Sequence, residues 1–125
     1  MKKVLLDTSF ILNAVKSKID FIEELFLNGF QILIPNKVIK ELQKVSKSYK
    51  KLKFRNNAKI ALEILKKAFN EKKLKKISLK GRNVDSSIAE YLNENSDIFL
   101  ASTDKELNKK VKNRKVILRY KKIEF

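Results

Sequence analysis

The sequence predicts an α/β fold: a three-layer α/β/α sandwich with a parallel, Rossmann-like sheet at its centre. Two observations predict it. Five short apolar runs of strand length alternate with segments of helical period along the chain. Connections of this kind return as right-handed crossovers over both faces of a parallel sheet. No internal repeat and no long linker interrupts the pattern, so residues 1–125 are expected to form one domain.

The first strand covers residues 2–6, where Val4-Leu5-Leu6 is an apolar run that stops at Asp7. Phe10–Lys18 reads as a helix. Asp20 with Glu23 is a variant of the capping box that opens a second helix, Phe21–Leu27, closed by Asn28-Gly29. A strand follows at Phe30–Ile34. Pro35 suits the first turn of a helix carrying Val38, Ile39, Leu42 and Val45, which dissolves into Ser46-Lys47-Ser48-Tyr49-Lys50-Lys51. From Phe54 to Phe69 the apolar residues Ala58, Ala61, Leu62, Leu65 and Phe69 recur at helical spacing and define the longest helix. The third strand is Lys76–Leu79, followed by a turn at Gly81-Arg82-Asn83. A helix at Asp85–Leu92, a strand at Ile98–Ala101, a helix at Asp104–Val111 and a final strand at Val116–Arg119 complete the order.

Composition narrows the chemistry. With no histidine there is no imidazole acid/base pair, no Ser-His-Asp triad and no His-ligated zinc. With no cysteine there is neither a disulfide nor a thiolate metal site, which suits a reducing cytoplasm. The two glycines, Gly29 and Gly81, stand too far apart for a Walker loop and are too few for a GxGxxG turn. Asp7 interrupts the opening apolar run well short of the roughly 7 to 15 residues of a signal h-region. No stretch reaches the roughly 18 apolar residues of a membrane span, so no membrane partner is expected. Thirty Lys and Arg against fourteen Asp and Glu leave a net charge of +16, for which a polyanion, nucleic acid above all, is the natural partner.

In a parallel sheet the working site lies beyond the carboxyl ends of the strands. Asp7 follows the first strand directly, and Asp104 follows the fourth after Ser102-Thr103. Each also precedes a helix, so an N-capping role stays open for both, with Thr103 and Glu106 forming a plausible capping box. Glu41 falls within the Val38-Leu42-Val45 stripe and points toward the core side, where a carboxylate needs a partner; a salt bridge to a lysine is the alternative. Asp85 has Ile88, Ala89 and Leu92 on its own helix face, with N-capping as its alternative. The other acids read as solvated or lie at the opposite end of the sheet. Four converging carboxylates would repel a phosphodiester unless a divalent metal inverted the sign. Oxygen-only ligands suit Mg²⁺ or Mn²⁺, which activate water and neutralise the leaving oxygen without histidine.

Taken together, Asp7-Thr8-Ser9 with Asn13, then Glu41, then Val84-Asp85-Ser86-Ser87-Ile88-Ala89, then Ser102-Thr103-Asp104-Lys105-Glu106-Leu107 resemble the four motifs of PIN domains. The resemblance covers essentially the whole chain. Val116-Ile117-Leu118-Arg119-Tyr120 and Lys18-Ile19-Asp20-Phe21 look most like stand-alone archaeal PIN proteins related to the small-subunit rRNA processing endonuclease. VapC-type toxins are also similar. The resemblance implies a five-stranded parallel sheet, Mg²⁺- or Mn²⁺-dependent endoribonuclease activity, frequent homodimers and, for a toxin, an antitoxin partner. It places Asp7, Glu41, Asp85 and Asp104 at the family's acidic positions, and Thr8, Asn13 and Thr103 at supporting polar ones. Ser9 stands where members often carry asparagine, and its hydroxyl is still suited to orienting Asp7. Ser86 stands where related proteins often place another acid, which leaves the number of metals open and keeps a non-catalytic RNA-binding assembly factor as an alternative.

The basic stretches flanking the long helix, 47–55 and 72–76, are candidates to grip an RNA backbone. The first includes Lys47, Lys50, Lys51, Lys53 and Arg55, and Tyr49 and Phe54 are suited to stack on bases. A solvated surface is the alternative for each lysine.

Overall fold

The computed structural model describes residues 1–48, 51–120 and 122–125. Its elements are β1 (Lys2–Leu6), α1 (Thr8–Lys16), α2 (Phe21–Leu27), β2 (Phe30–Pro35), α3 (Asn36–Ser46), α4 (Leu52–Asn70), β3 (Leu74–Ile77), α5 (Val84–Glu94), β4 (Phe99–Ala101), α6 (Lys105–Lys110), β5 (Lys115–Arg119) and β6 (Lys122–Glu124). The sheet runs in the order β3-β2-β1-β4-β5-β6. All neighbours are parallel except β5 and β6, an antiparallel pair.

β1 is the central strand, and Val4, Leu5 and Leu6 have no exposed surface, as expected of a strand covered on both faces. Right-handed crossovers send the β1-to-β2 and β2-to-β3 connections over one face and the β3-to-β4 and β4-to-β5 connections over the other. Accordingly α1, α3 and α4 pack against one another, while α5 packs with α6. Phe10 and Phe21 meet edge to face at 6.4 Å in the first layer, and Phe30 meets Phe99 in the same way at 5.1 Å across the sheet. The strand order reverses between β1 and β4. That point, beyond the carboxyl ends of the two strands, opens the crevice in which α/β sheets bind ligands.

Several boundaries differ from the sequence reading. The sheet has six strands rather than five, because the chain turns at Tyr120 (φ 48°) and returns as β6. α1 begins two residues earlier than expected and ends at Lys16, because Lys18 takes a left-handed φ of 57°. Pro35 is the last residue of β2 and the capping position of α3, not part of its first turn. β3 is shifted to Leu74–Ile77 by its register against β2, with Ile32 opposite Leu74. Leu79, expected in that strand, is buried beyond it, and its N–H donates to Asn36 Oδ1 at 3.0 Å. The α2 cap forms as expected, with Asp20 accepting from Glu23 N at 3.3 Å.

Candidate active site

Asp7 is carried into the crevice by β1 and anchored there by its own N–H, which donates to Ala101 O on β4 at 3.0 Å. It is 4% exposed. It occupies the capping position of α1, yet its side chain caps nothing, so the capping alternative fails. Its Oδ2 instead accepts from Ser102 Oγ at 2.9 Å and from Ser9 Oγ at 3.0 Å. Each hydroxyl in turn accepts a backbone N–H from the loop after β4: Thr103 N reaches Ser9 Oγ at 3.1 Å, and Asp104 N reaches Ser102 Oγ at 3.0 Å. Two chains of polarised donors therefore end on one carboxylate oxygen. Asn13 staples the same parts together, donating to Ser9 O at 2.9 Å and to Thr103 Oγ1 at 2.8 Å. Thr8 Oγ1 is buried without a hydrogen-bond partner among the described residues.

Burial raises the pKa of Asp7 above 3.8; the Ser102, Thr8 and Ser9 donors oppose this, and the charge of Glu41 adds to it. Glu41 is half-buried on α3 with Lys37, Lys40 and Lys44 nearby in the helix, yet it forms no ion pair among the described residues. The salt-bridge alternative is thus absent there, and its charge acts on Asp7.

Asp85 is half-buried in the first turn of α5. It is not the cap, because Asn83 Oδ1 accepts from Ser86 N at 3.1 Å and fills that role. Its pKa is raised first by burial and then by the charges of Asp7 and Asp104, against the pull of Lys110. A hydrogen bond with Asp104 adds to the rise, the smallest of these causes. Asp104 alone has a capping role: its Oδ1 accepts from Glu106 N at 2.9 Å and Leu107 N at 3.4 Å. The cap of α6 is therefore Asp104 rather than Thr103, whose hydroxyl is taken by Asn13.

Mutual repulsion thus connects Asp7 to Glu41, Asp7 to Asp85 and Asp85 to Asp104. Among the described residues no three acidic side chains form a ready metal-ligand cluster. Asp104 is turned toward its helix, and Asp7 Oδ2 is engaged by two hydroxyls. The donor set nevertheless fits a hard divalent cation. It contains only oxygens, Asp7 carries a desolvated charge with no cationic partner among the described residues, and the Thr8 hydroxyl is unspent.

The sequence motif around Asp104 includes Ser102 but assigns it no role. It is 8% exposed and holds Asp7 as directly as Ser9 does. The usable signal was its place between the end of β4 and Asp104.

The basic stretches do not join this site. Lys47 and Lys51 flank the α3–α4 connection as exposed cap residues, Arg55 is half-buried, and Lys50 and Tyr49 lie outside the described residues. Lys53 lines a groove of about 760 Å³ walled by the end of α1, α2 and α4, which none of the four acids lines, so size alone does not locate the site. In the second stretch Lys73 pairs with Glu23 at 3.0 Å, and Lys76 lies over the Phe69 ring at 4.3 Å.

The profile of the PIN domain, an α/β fold with a parallel sheet of this kind, matches residues 4–122. The chain belongs to the PIN-domain family. It is 31% identical over 114 residues to Ribonuclease VapC4 of Methanocaldococcus jannaschii, an alignment covering 89% of this chain and 83% of that protein. Among solved structures it resembles the PIN domain endonuclease Utp24, with a TM-score of 0.75, 24% identity and coverage of 97% and 88% of the two chains. It also resembles a domain of a functionally unknown protein from M. jannaschii, with a TM-score of 0.65, 21% identity and coverage of 100% and 96%.

Proposed function

We propose that the protein is a divalent-metal-dependent endoribonuclease in which Asp7, Glu41, Asp85 and Asp104 hold Mg²⁺ or Mn²⁺. The observation that carries this reading is a buried Asp7, without a cationic partner among the described residues, set among further acids at the strand-order reversal of a +16 molecule. Membership of the PIN family and a relative named a ribonuclease support it.

The chemistry a bound divalent ion supplies is activation of water and neutralisation of charge on the phosphate. The chain's own residues fix where that happens. Ser9 and Ser102 hold the Asp7 carboxylate through a single oxygen, leaving Oδ1 outside the hydroxyl pair. The staple from Asn13 to Thr103 keeps α1 against the loop that carries Asp104, so the carboxylates of the two halves stay in one frame. Asp85 lies where burial and the charges of Asp7 and Asp104 raise its pKa, a position where a bound cation would be favoured. Hydrolysis leaves a 5′-phosphate and a 3′-hydroxyl.

The finer reading is a cytoplasmic, single-domain enzyme of rRNA processing. The 31% identity to a VapC ribonuclease favours a second, a toxin with an antitoxin partner and a homodimeric assembly. Among the described residues no helix is long and apolar enough to cross a membrane. Incubating RNA with Mn²⁺ and comparing wild type with Asp7→Asn tests the chemistry: cleavage by the wild type alone is expected. Equal cleavage by both, or none by either, would overturn it and, in the latter case, leave a non-catalytic RNA-binding factor. Growth arrest on expression, relieved by a neighbouring gene product, would select the toxin over the processing enzyme.

A further inference from the structure

A small cleft of about 170 Å³ lies beside the acidic site, lined by Lys37, Lys40, Glu41 and Lys44 of α3 and by Arg82 and Val84 before and at the start of α5. Lys37, Lys40 and Lys44 recur at helical spacing on α3, so the cleft draws them onto one face. Lys40, Lys44 and Arg82 are exposed, and none makes a hydrogen bond or ion pair among the described residues. They do not pair even with Glu41, which lines the same cleft.

The far wall is a fixed structure. Lys37 Nζ donates to Gly81 O, and Asn36 Oδ1 accepts Leu79 N–H at 3.0 Å, tying the loop to α3. Ser87 Oγ reaches Lys80 O at 2.6 Å and Asn83 O at 2.8 Å, closing the loop from the α5 side. Gly81 sits at φ +107° with Ser87 Oγ 2.8 Å from where a Cβ would stand, so the turn that presents Arg82 requires glycine. Arg82 is therefore anchored at its backbone while its guanidinium stays free. Unpaired cations on two opposed, mutually bonded walls suit an anion of roughly phosphate size.

We propose that this cleft is a phosphate subsite, binding an RNA backbone phosphate next to the one placed at Asp7. The proposal rests on the endoribonuclease reading and extends it, because Glu41 belongs to both places: its charge acts on Asp7 while its side chain lines the cleft. The subsite would set the direction in which a strand crosses the acids, entering or leaving over α3. It differs from the 47–55 stretch, whose described members line none of its surface.

Binding of a fluorescein-labelled single-stranded RNA is to be measured by anisotropy in EDTA across a KCl series. The probes are wild type, the triple variant Lys40→Ala/Lys44→Ala/Arg82→Ala, and a control removing equal charge at Lys59, Lys66 and Lys112. Each phosphate contact on a single strand contributes about 0.7 to the log–log salt slope. The cleft variant is expected to lose affinity about tenfold or more and to flatten that slope by roughly 1 to 2, against a change of less than about threefold in the control. Equal losses in both variants, or none in the cleft variant, would overturn the subsite. Mn²⁺-dependent cleavage by the wild type separates the two ideas. Cleavage with indistinguishable variants removes the subsite and keeps the nuclease, whereas a cleft-dependent slope without cleavage does the reverse. Absence of RNA binding by the wild type would overturn the subsite as well. Thermal melts confirm that each variant is folded, and the single variant Arg82→Ala, on an exposed side chain, repeats the test if the triple variant melts early.

Discussion

Replacing Asp7 by asparagine separates what the site does from what it costs the fold. Asp7 is 4% exposed and its pKa is raised chiefly by burial, so desolvation outweighs the hydroxyl and backbone donors that favour its charge. An amide of the same shape has no charge to desolvate. Asp7→Asn should therefore stabilise the metal-free protein at pH 7 by about 1 kcal/mol, within the range of about 0.5–2 kcal/mol common for single stabilising substitutions. For a chain of this size that is a rise in Tm of roughly 3–6 °C. Between 3.8 and the raised native value the folded state holds more protons than the unfolded one. Wild-type stability from this group accordingly falls as pH rises through that window and is fully present only below it. The advantage of the amide should shrink as pH is lowered and vanish once both states of the wild type are protonated. Metal reverses the order: at tenfold excess over Kd a ligand adds about 1.4 kcal/mol to the form that binds it, and the amide variant should gain much less. Thermal melts of both proteins, with and without Mn²⁺ and across pH, read every part of this. A metal-free variant that melts below wild type at pH 7 would show that the carboxylate is well paired as an anion. Equal Mn²⁺ shifts would remove Asp7 from the residues that hold the ion.

Three other substitutions probe the frame. Ser102→Ala removes a donor to Asp7 and the acceptor of Asp104 N–H, at a cost of about 1–3 kcal/mol in urea unfolding. Because that donor favours the charged carboxylate, the acidic limb of the cleavage profile should move to higher pH; an unmoved limb would mean that Ser102 does not tune Asp7. Gly81→Ala places a side chain at φ +107° against Ser87 Oγ and should cost about 1–3 kcal/mol, read from the urea midpoint, with no loss indicating a turn free to relax. Asn113→Ala leaves the carbonyls of Leu92, Asn95 and Ile98 without their shared donor, and a loss of about 1–3 kcal/mol is expected, whereas a neutral result would make the clamp dispensable.

The alternation of strands and helices was legible because β1, β2 and β4 are apolar runs closed by polar residues, and α4 keeps a clear helical period. β6 was not legible: Lys122-Ile123-Glu124 is a charged edge strand with one apolar residue, and only its pairing with β5 defines it. The shift of β3 has the same origin, since a four-residue strand with two lysines is set by its register against β2. Local sequence could place Asp7 and Asp104 at strand ends but could not choose between capping and site roles. That choice depends on partners 95 positions away for Asp7, while for Asp104 the capping role holds and its charge also acts on Asp85. The cleft cations are not legible because lysine is everywhere in this chain; what distinguishes Lys40, Lys44 and Arg82 is that they line one cleft and are unpaired among the described residues.

The paired hydroxyl chains onto Asp7 have a consequence for how activity arises during synthesis. Asp7 leaves the ribosome almost a hundred residues ahead of Ser102 and the two amides that polarise its support. A partly made chain already carries much of the positive surface and can cling to RNA, while its first carboxylate stays unbraced and without Asp85 or Asp104. On the proposed reading the capacity to cut is thereby tied to closure of β4 beside β1, so a half-folded molecule bound to the wrong RNA would leave it intact.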